Sequence, residues 1–160
     1  FARIDAIAYP GLTANFDVSV TAALAIALLD WLEHGAAYAA AMIETSEVLS
    51  GHLRHLGLPV GPTASHQFVV DAAEWGDGDA ASQRLRLANL LTSGIGLPGR
   101  AGPAGIRMGT PEIVRWGMSA EHMPELGDLV YSALTGDAAA VAPAVTAFRH
   151  RFTDLHFVRS

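Results

Sequence analysis

The chain predicts a small α+β domain in which a short sheet is covered by helices and reached along a helical spine. Three observations predict this class. Apolar positions recur at helical spacing almost without pause from residue 17 to Gly57. Past Gly57 the texture switches to short β-rich runs bounded by glycine, of which "HQFVVDA" (66–72) is the clearest. From Thr110 onward the chain returns to capped helical segments. The resulting order, helix-helix-β-α-β-β-α-α-α, sets a small sheet among segregated helices.

Residues 2–8 read as the end of a helix closed by the turn "YPGL" (9–12). In "NFDVSVTAALAIALLDWLEHG" (15–35), Asn15 or Asp17 can cap a helix whose apolar residues continue almost all round, the pattern of a helix buried between layers. Gly35 is expected to break or kink it. Helical spacing then resumes to Gly57, a C-terminal stop, so that two long helices run nearly end to end. "DAASQRLRLANLL" (79–91) is helical, "TSGIGL" (92–97) and "GIRMG" (105–109) read as the second and third strands, and the Gly/Pro-rich "GLPGRAGPAG" (96–105) as the loop joining them. "TPEIVRWG" and "SAEHMPELGDLVYSAL" open on good caps, Thr110-Pro111 and Ser119. A final helix over 138–155 is expected to bend at Pro143.

Composition narrows the partners. Charged residues make up 16% and hydrophobic ones 51%, against about 25% charged in ordinary globular domains. The excess apolar surface is expected to pack on another polypeptide. A net charge of -6 without a basic stripe argues against nucleic acid and anionic membrane surfaces. The most apolar run, residues 21–32, is too short to span a bilayer and contains Asp30. With no cysteine there is no thiol chemistry, and a cytoplasmic location is expected. The chain opens on Phe1 without a visible signal peptide and is expected to be part of a longer protein.

All ten cationic residues are arginine, and lysine is absent. Arg107 stands out among them, because glycines flank it at two residues' distance on either side in "GIRMG". A guanidinium is a planar fork suited to a carboxylate, and the glycines leave room for a small anion. The plainer readings are a solvated arginine in a turn or one paired with a nearby aspartate. His52 and His55 lie on adjacent helical turns without a third ligand, so an exposed helix face is expected and no metal site. His66 is expected to hydrogen-bond structurally, and Trp31, Trp75 and Trp116 to pack.

"GIRMGTPEIVRWGM" resembles the "SGIR-x-GTP…TRRG" signature of serine hydroxymethyltransferases, pyridoxal-phosphate enzymes of the aspartate-aminotransferase fold. "AYPGLTANFDVSVTAALAIAL" is similar to that family's "FPG-x-QGGP-x-x-H-x-IAA-x-A-x-AL", and "TASHQFVVD" to its "TDNHLVLVD". The three motifs keep the family's order over essentially all 160 residues.

The resemblance implies the C-terminal part of a fold type I enzyme: residues 1–34 as the end of the large cofactor domain and the start of the connecting helix, 35–160 as the small domain. It implies that Arg107 binds the substrate carboxylate. Ala14 and Asn15 occupy the places whose backbone N–H groups face the phosphate of pyridoxal 5'-phosphate in the neighbouring subunit, and Tyr9 replaces a phenylalanine. The Schiff-base lysine of the family lies upstream of the "FPG" turn, so no catalytic residue is assigned within this chain, and activity is expected only together with a lysine-bearing part and a second subunit. Ile95 stands where the family has an asparagine for folate, the loop before "GIR" is shortened, and Trp116 replaces the second arginine of "TRRG". These departures favour a folate-independent, threonine transaldolase-type reaction, in which a glycine unit passes from a β-hydroxy amino acid to an aldehyde. The alternatives are glycine/serine hydroxymethyl transfer with tetrahydrofolate, or a non-catalytic paralogue serving as an interaction module.

Overall fold

The computed structural model describes residues 2–8 and 17–159. A short helix, α1 (Ala2–Ile7), precedes a single helix of 38 residues, α2 (Val18–His55). Asp17 caps α2, its carboxylate accepting from the Ser19 N–H at 2.9 Å and from the Ser19 hydroxyl at 2.6 Å. At the far end Gly57 takes φ +96°, its N–H donates to the Arg54 carbonyl, and Leu58 N–H donates to that of Leu53. That pair of bonds is a Schellman stop, which needs a residue tolerant of positive φ.

Gly35 does not break the helix. A Cβ there would sit 2.9 Å from the Trp31 ring, which lies along the helix surface and reaches Tyr38 at 5.5 Å between centroids. The glycine accommodates an indole, and the intrahelical bonds run on through it. The two halves of α2 differ in cover. Tyr38, Met42, Leu49 and Leu53 are buried, whereas Val18, Leu24, Ile26 and Leu32 are exposed, Leu32 by 83%. By length and hydropathy α2 could cross a membrane. Its middle is nonetheless tied to this domain by charge, with Asp30 near Arg115 at 3.7 Å and Glu33 paired to Arg159 at 3.3 Å.

The sheet has three strands, β1 (Gln67–Asp71), β2 (Ser93–Ile95) and β3 (Gly105–Gly109), in the order β1-β3-β2 with both pairings antiparallel. Alternation decides its faces. Phe68 and Val70 in β1 and Ile106 and Met108 in β3 are buried, and their neighbours Gln67, Val69 and Arg107 point the other way. Helices cover the buried face: the second half of α2, α3 (Gly78–Leu87), α5 (Met123–Thr135) and α6 (Ala138–Arg149). Leu53, Leu85, Met123 and Leu134 join the strand residues in one core, each such side chain contributing about 1.5–3 kcal/mol by leaving water. α3 starts against the chain entering β3, where a Cβ on Gly78 would run into the Gly105 carbonyl.

Two helices are shorter than expected. α3 ends at Leu87, and Asn89 adopts φ 62°, a left-handed conformation that asparagine tolerates. α6 runs through Pro143 but ends at Arg149 rather than near 155. Phe152 turns back onto Phe148 at 5.3 Å, and the tail returns to α2, where Phe157 stacks on Tyr38 at 5.1 Å.

Candidate functional site

β3 places Arg107 at the centre of the open face of the sheet. The register sets Val69 and Ser93 directly opposite it on the two flanking strands. Period-two alternation brings Gly105 and Gly109 to the same face, one step before and one after the arginine. The guanidinium therefore stands between two positions without side chains. Arg107 is exposed, and among the described residues it makes no hydrogen bond or ion pair with protein groups. The alternative of an internal pair with an aspartate does not hold.

The nearest carboxylate along this face is engaged elsewhere. Asp71, opposite Gly105, meets Arg100 through both oxygens, Nη1–Oδ1 at 2.9 Å and Nη2–Oδ2 at 2.7 Å, and also accepts the Ala73 N–H at 3.0 Å. The Ala73 N–H foremost, and the Arg100 guanidinium after it, hold its carboxyl below the usual range against the opposing effect of partial burial. The loop carrying Arg100 thus folds over one end of the face, where Leu97 would lie 3.1 Å from a Cβ on Gly105. Ile95, opposite Gly105 on β2, adds an apolar side to the same end.

Behind the sheet, the strand is locked by a residue whose local sequence marks only a helix cap. Thr110 is fully buried, and its hydroxyl lies 2.7 Å from the Met42 carbonyl and 3.2 Å from that of His66. It cross-links the end of β3 to α2 and to the approach of β1 instead of capping α4 (Pro111–Arg115). Tyr38 fastens the same turn, donating to the Pro111 carbonyl at 2.8 Å. Thr110→Val is expected to destabilise the fold by about 1–3 kcal/mol, since the buried hydroxyl bond that ties β3 to the Met42 carbonyl of α2 is lost. Urea unfolding of the full-length protein measures this, and Thr110→Ser should recover most of the loss.

The remaining candidates separate. Ala14 and Asn15, expected at the cofactor phosphate, and Tyr9 beside them, lie outside the described residues. Asp17, just after them, keeps its carboxyl below the ordinary range through the Ser19 hydroxyl and then the Ser19 N–H. His52 is drawn to α5, with Nε2 2.7 Å from Asp128 Oδ1, while His55 is exposed. His66 serves through its backbone carbonyl, which accepts from both the N–H and the hydroxyl of Thr110. Trp75 donates to the Leu134 carbonyl at 2.9 Å and Trp116 to Glu112 Oε1 at 2.9 Å with Arg149 over its ring, both packed on the core. Trp31 remains half exposed on α2.

No protein-family model matches the chain. It is 48% identical over 98% of its length to an alpha-methylserine aldolase of a Ralstonia species, and 51% identical over 98% to one of Variovorax paradoxus. A serine hydroxymethyltransferase of Cenarchaeum symbiosum (strain A) is 34% identical over 93% of the chain. The chain spans 38%, 37% and 37% of these three relatives respectively. The solved structure of L-threonine transaldolase from Pseudomonas fluorescens superposes with a TM-score of 0.73 at 24% identity, covering 83% of this chain and 32% of that one. At that identity the superposition speaks for the fold alone.

Proposed function

Since the chain belongs to the serine hydroxymethyltransferase-like family of pyridoxal-phosphate enzymes with the type I fold, we propose that it holds the substrate carboxylate in an aldol-type enzyme acting on a β-hydroxy amino acid. The observation that carries this is the guanidinium of Arg107, without an ion pair among the described residues, between two glycines on the open sheet face. Its fork donates two parallel N–H groups to a carboxylate, which fixes the orientation of the amino acid as well as its affinity. Val69 and Ile95, one on each neighbouring strand, give that carboxylate an apolar surround and strengthen the contact.

Pyridoxal phosphate, when bound, supplies the electron sink for breaking the bond between Cα and Cβ. The described residues do not by themselves form its site. The chain has no lysine, and the two positions expected at the phosphate lie outside the described residues. The lysine and the rest of the cofactor site belong to the whole enzyme, with a second copy of the chain as the expected partner. The bare apolar half of α2 supports a covered surface in that assembly.

Folate independence is the reading we favour. Ile95 offers no hydrogen bond to a pterin amide from its place beside Arg107. The greater identity to alpha-methylserine aldolases than to the serine hydroxymethyltransferase supports an α-substituted β-hydroxy amino acid as substrate. Transfer to an acceptor aldehyde, of transaldolase type, is the second reading, which the replacement of the folate asparagine by Ile95 equally allows. Formaldehyde release from α-methylserine by the full-length protein tests both. Release is expected without tetrahydrofolate and without an added aldehyde. Stimulation by tetrahydrofolate would reject folate independence, and dependence on a second aldehyde would favour the transaldolase.

A further inference from the structure

We propose that Arg100 is a positioning residue for the carboxylate clamp: by occupying Asp71 it keeps the one acid on the open sheet face from neutralising Arg107. The inference rests on Arg107 as the clamp and adds a device that maintains it. The outward-facing residues of the three strands include Gln67, Val69, Asp71, Ser93, Ile95 and Arg107, with glycines at 105 and 109. Asp71 is the sole carboxylate among them.

Asp71 is a diagonal neighbour of Arg107, since Val69 faces Arg107 and Asp71 is the next residue on that side of β1. Diagonal cross-strand side chains of this length come within reach of one another. Gly105, opposite Asp71, puts no side chain between them. Left alone, the two would form a surface ion pair, and a substrate carboxylate would have to displace it.

The structure holds them apart through the loop between β2 and β3. Arg100 takes both oxygens of Asp71 in the two-pronged geometry that guanidinium favours, and the Ala73 N–H takes a further share of one of them. Asp71 is the less exposed partner, 26% against 48% for Arg100, so the loop arginine lies over it from the solvent side. Gly99 and Gly102, at φ +74° and +70°, provide the left-handed turns on either side of Arg100 that bring the loop back over the strand. The result is one neutralised carboxylate beside one guanidinium that has no partner among the described residues.

The test uses the full-length protein with four variants and the KM for the amino acid read separately from kcat. Arg100→Ala should raise KM roughly two- to fivefold, the scale of an exposed ion pair competing for Arg107, with kcat little changed. Arg100→Lys, which can still pair with Asp71, should restore much of the affinity. Asp71→Asn combined with Arg100→Ala should restore it as well, because the competing charge has gone. A double variant as weak as Arg100→Ala would show that the loop arginine acts only by anchoring its loop, and would overturn the proposal. Arg107→Ala separates this from the clamp itself: if it leaves KM unchanged, the clamp reading fails. If it raises KM while Arg100→Ala does not, the clamp stands and the shielding role is lost.

Discussion

Arg107→Ala in the full-length protein is expected to lower kcat/KM for the amino-acid substrate by a factor of roughly 30 to several thousand. The range follows from truncating one partner of a charge-assisted contact, which costs about 2–5 kcal/mol. The loss should appear mainly in KM if the carboxylate is held equally in the ground and transition states, and in kcat as well if its orientation matters to bond breaking. Arg107→Lys should recover only part of it, because an ammonium keeps the charge but not the planar fork. Stability should hardly move. Arg107 is exposed and makes no internal bond among the described residues, and substitutions of that kind usually stay within about 0.5 kcal/mol. An unchanged KM with intact folding would remove the basis of the proposed function.

Phe68→Ala should act in the opposite way, on folding rather than on binding. The ring is 2% exposed, sits in the core, and faces Met108 across the β1–β3 pairing, directly behind the clamp. Deleting it is expected to cost about 3–5 kcal/mol, a large share of the roughly 5–15 kcal/mol that keeps a typical domain folded. Val69→Ala, one residue along but on the open face, provides the contrast and should cost far less. Urea unfolding of the two variants measures the difference. Equal losses would mean that the strand register, and with it the outward placement of Arg107, is wrong.

Much of the fold was legible because local chemistry and tertiary packing agree. Asp17 and Gly57 bracket α2 as capping chemistry requires, and the alternation of "QFVVD" marks a half-buried strand. Where the reading failed, packing of side chains had overridden a local preference. Gly35 looked like a helix break, but the Trp31 indole one turn earlier lies over it and fills the place of a side chain. The final helix stops early, and the tail after it returns to the rest of the domain, Phe157 stacking on Tyr38 and the His156 N–H donating to the Arg115 carbonyl. Thr110 carried a genuine cap signal, yet its hydroxyl is taken by carbonyls 68 and 44 residues away.

The candidate site divides along the same line. Arg107 was legible from a local feature, glycines at even spacing, which the strand turns into an open face. The pairing of Asp71 with Arg100 spans 29 residues and a glycine-rich loop, and no periodicity encodes it.

The unbroken course of α2 has a mechanical consequence. At 1.5 Å per residue its 38 residues reach about 57 Å, with no break at Gly35 to interrupt them. Its second half is bolted to the strand bearing Arg107 through Thr110 and Tyr38. Whatever covers the bare first half is therefore joined, through one continuous helix, to the strand that carries Arg107.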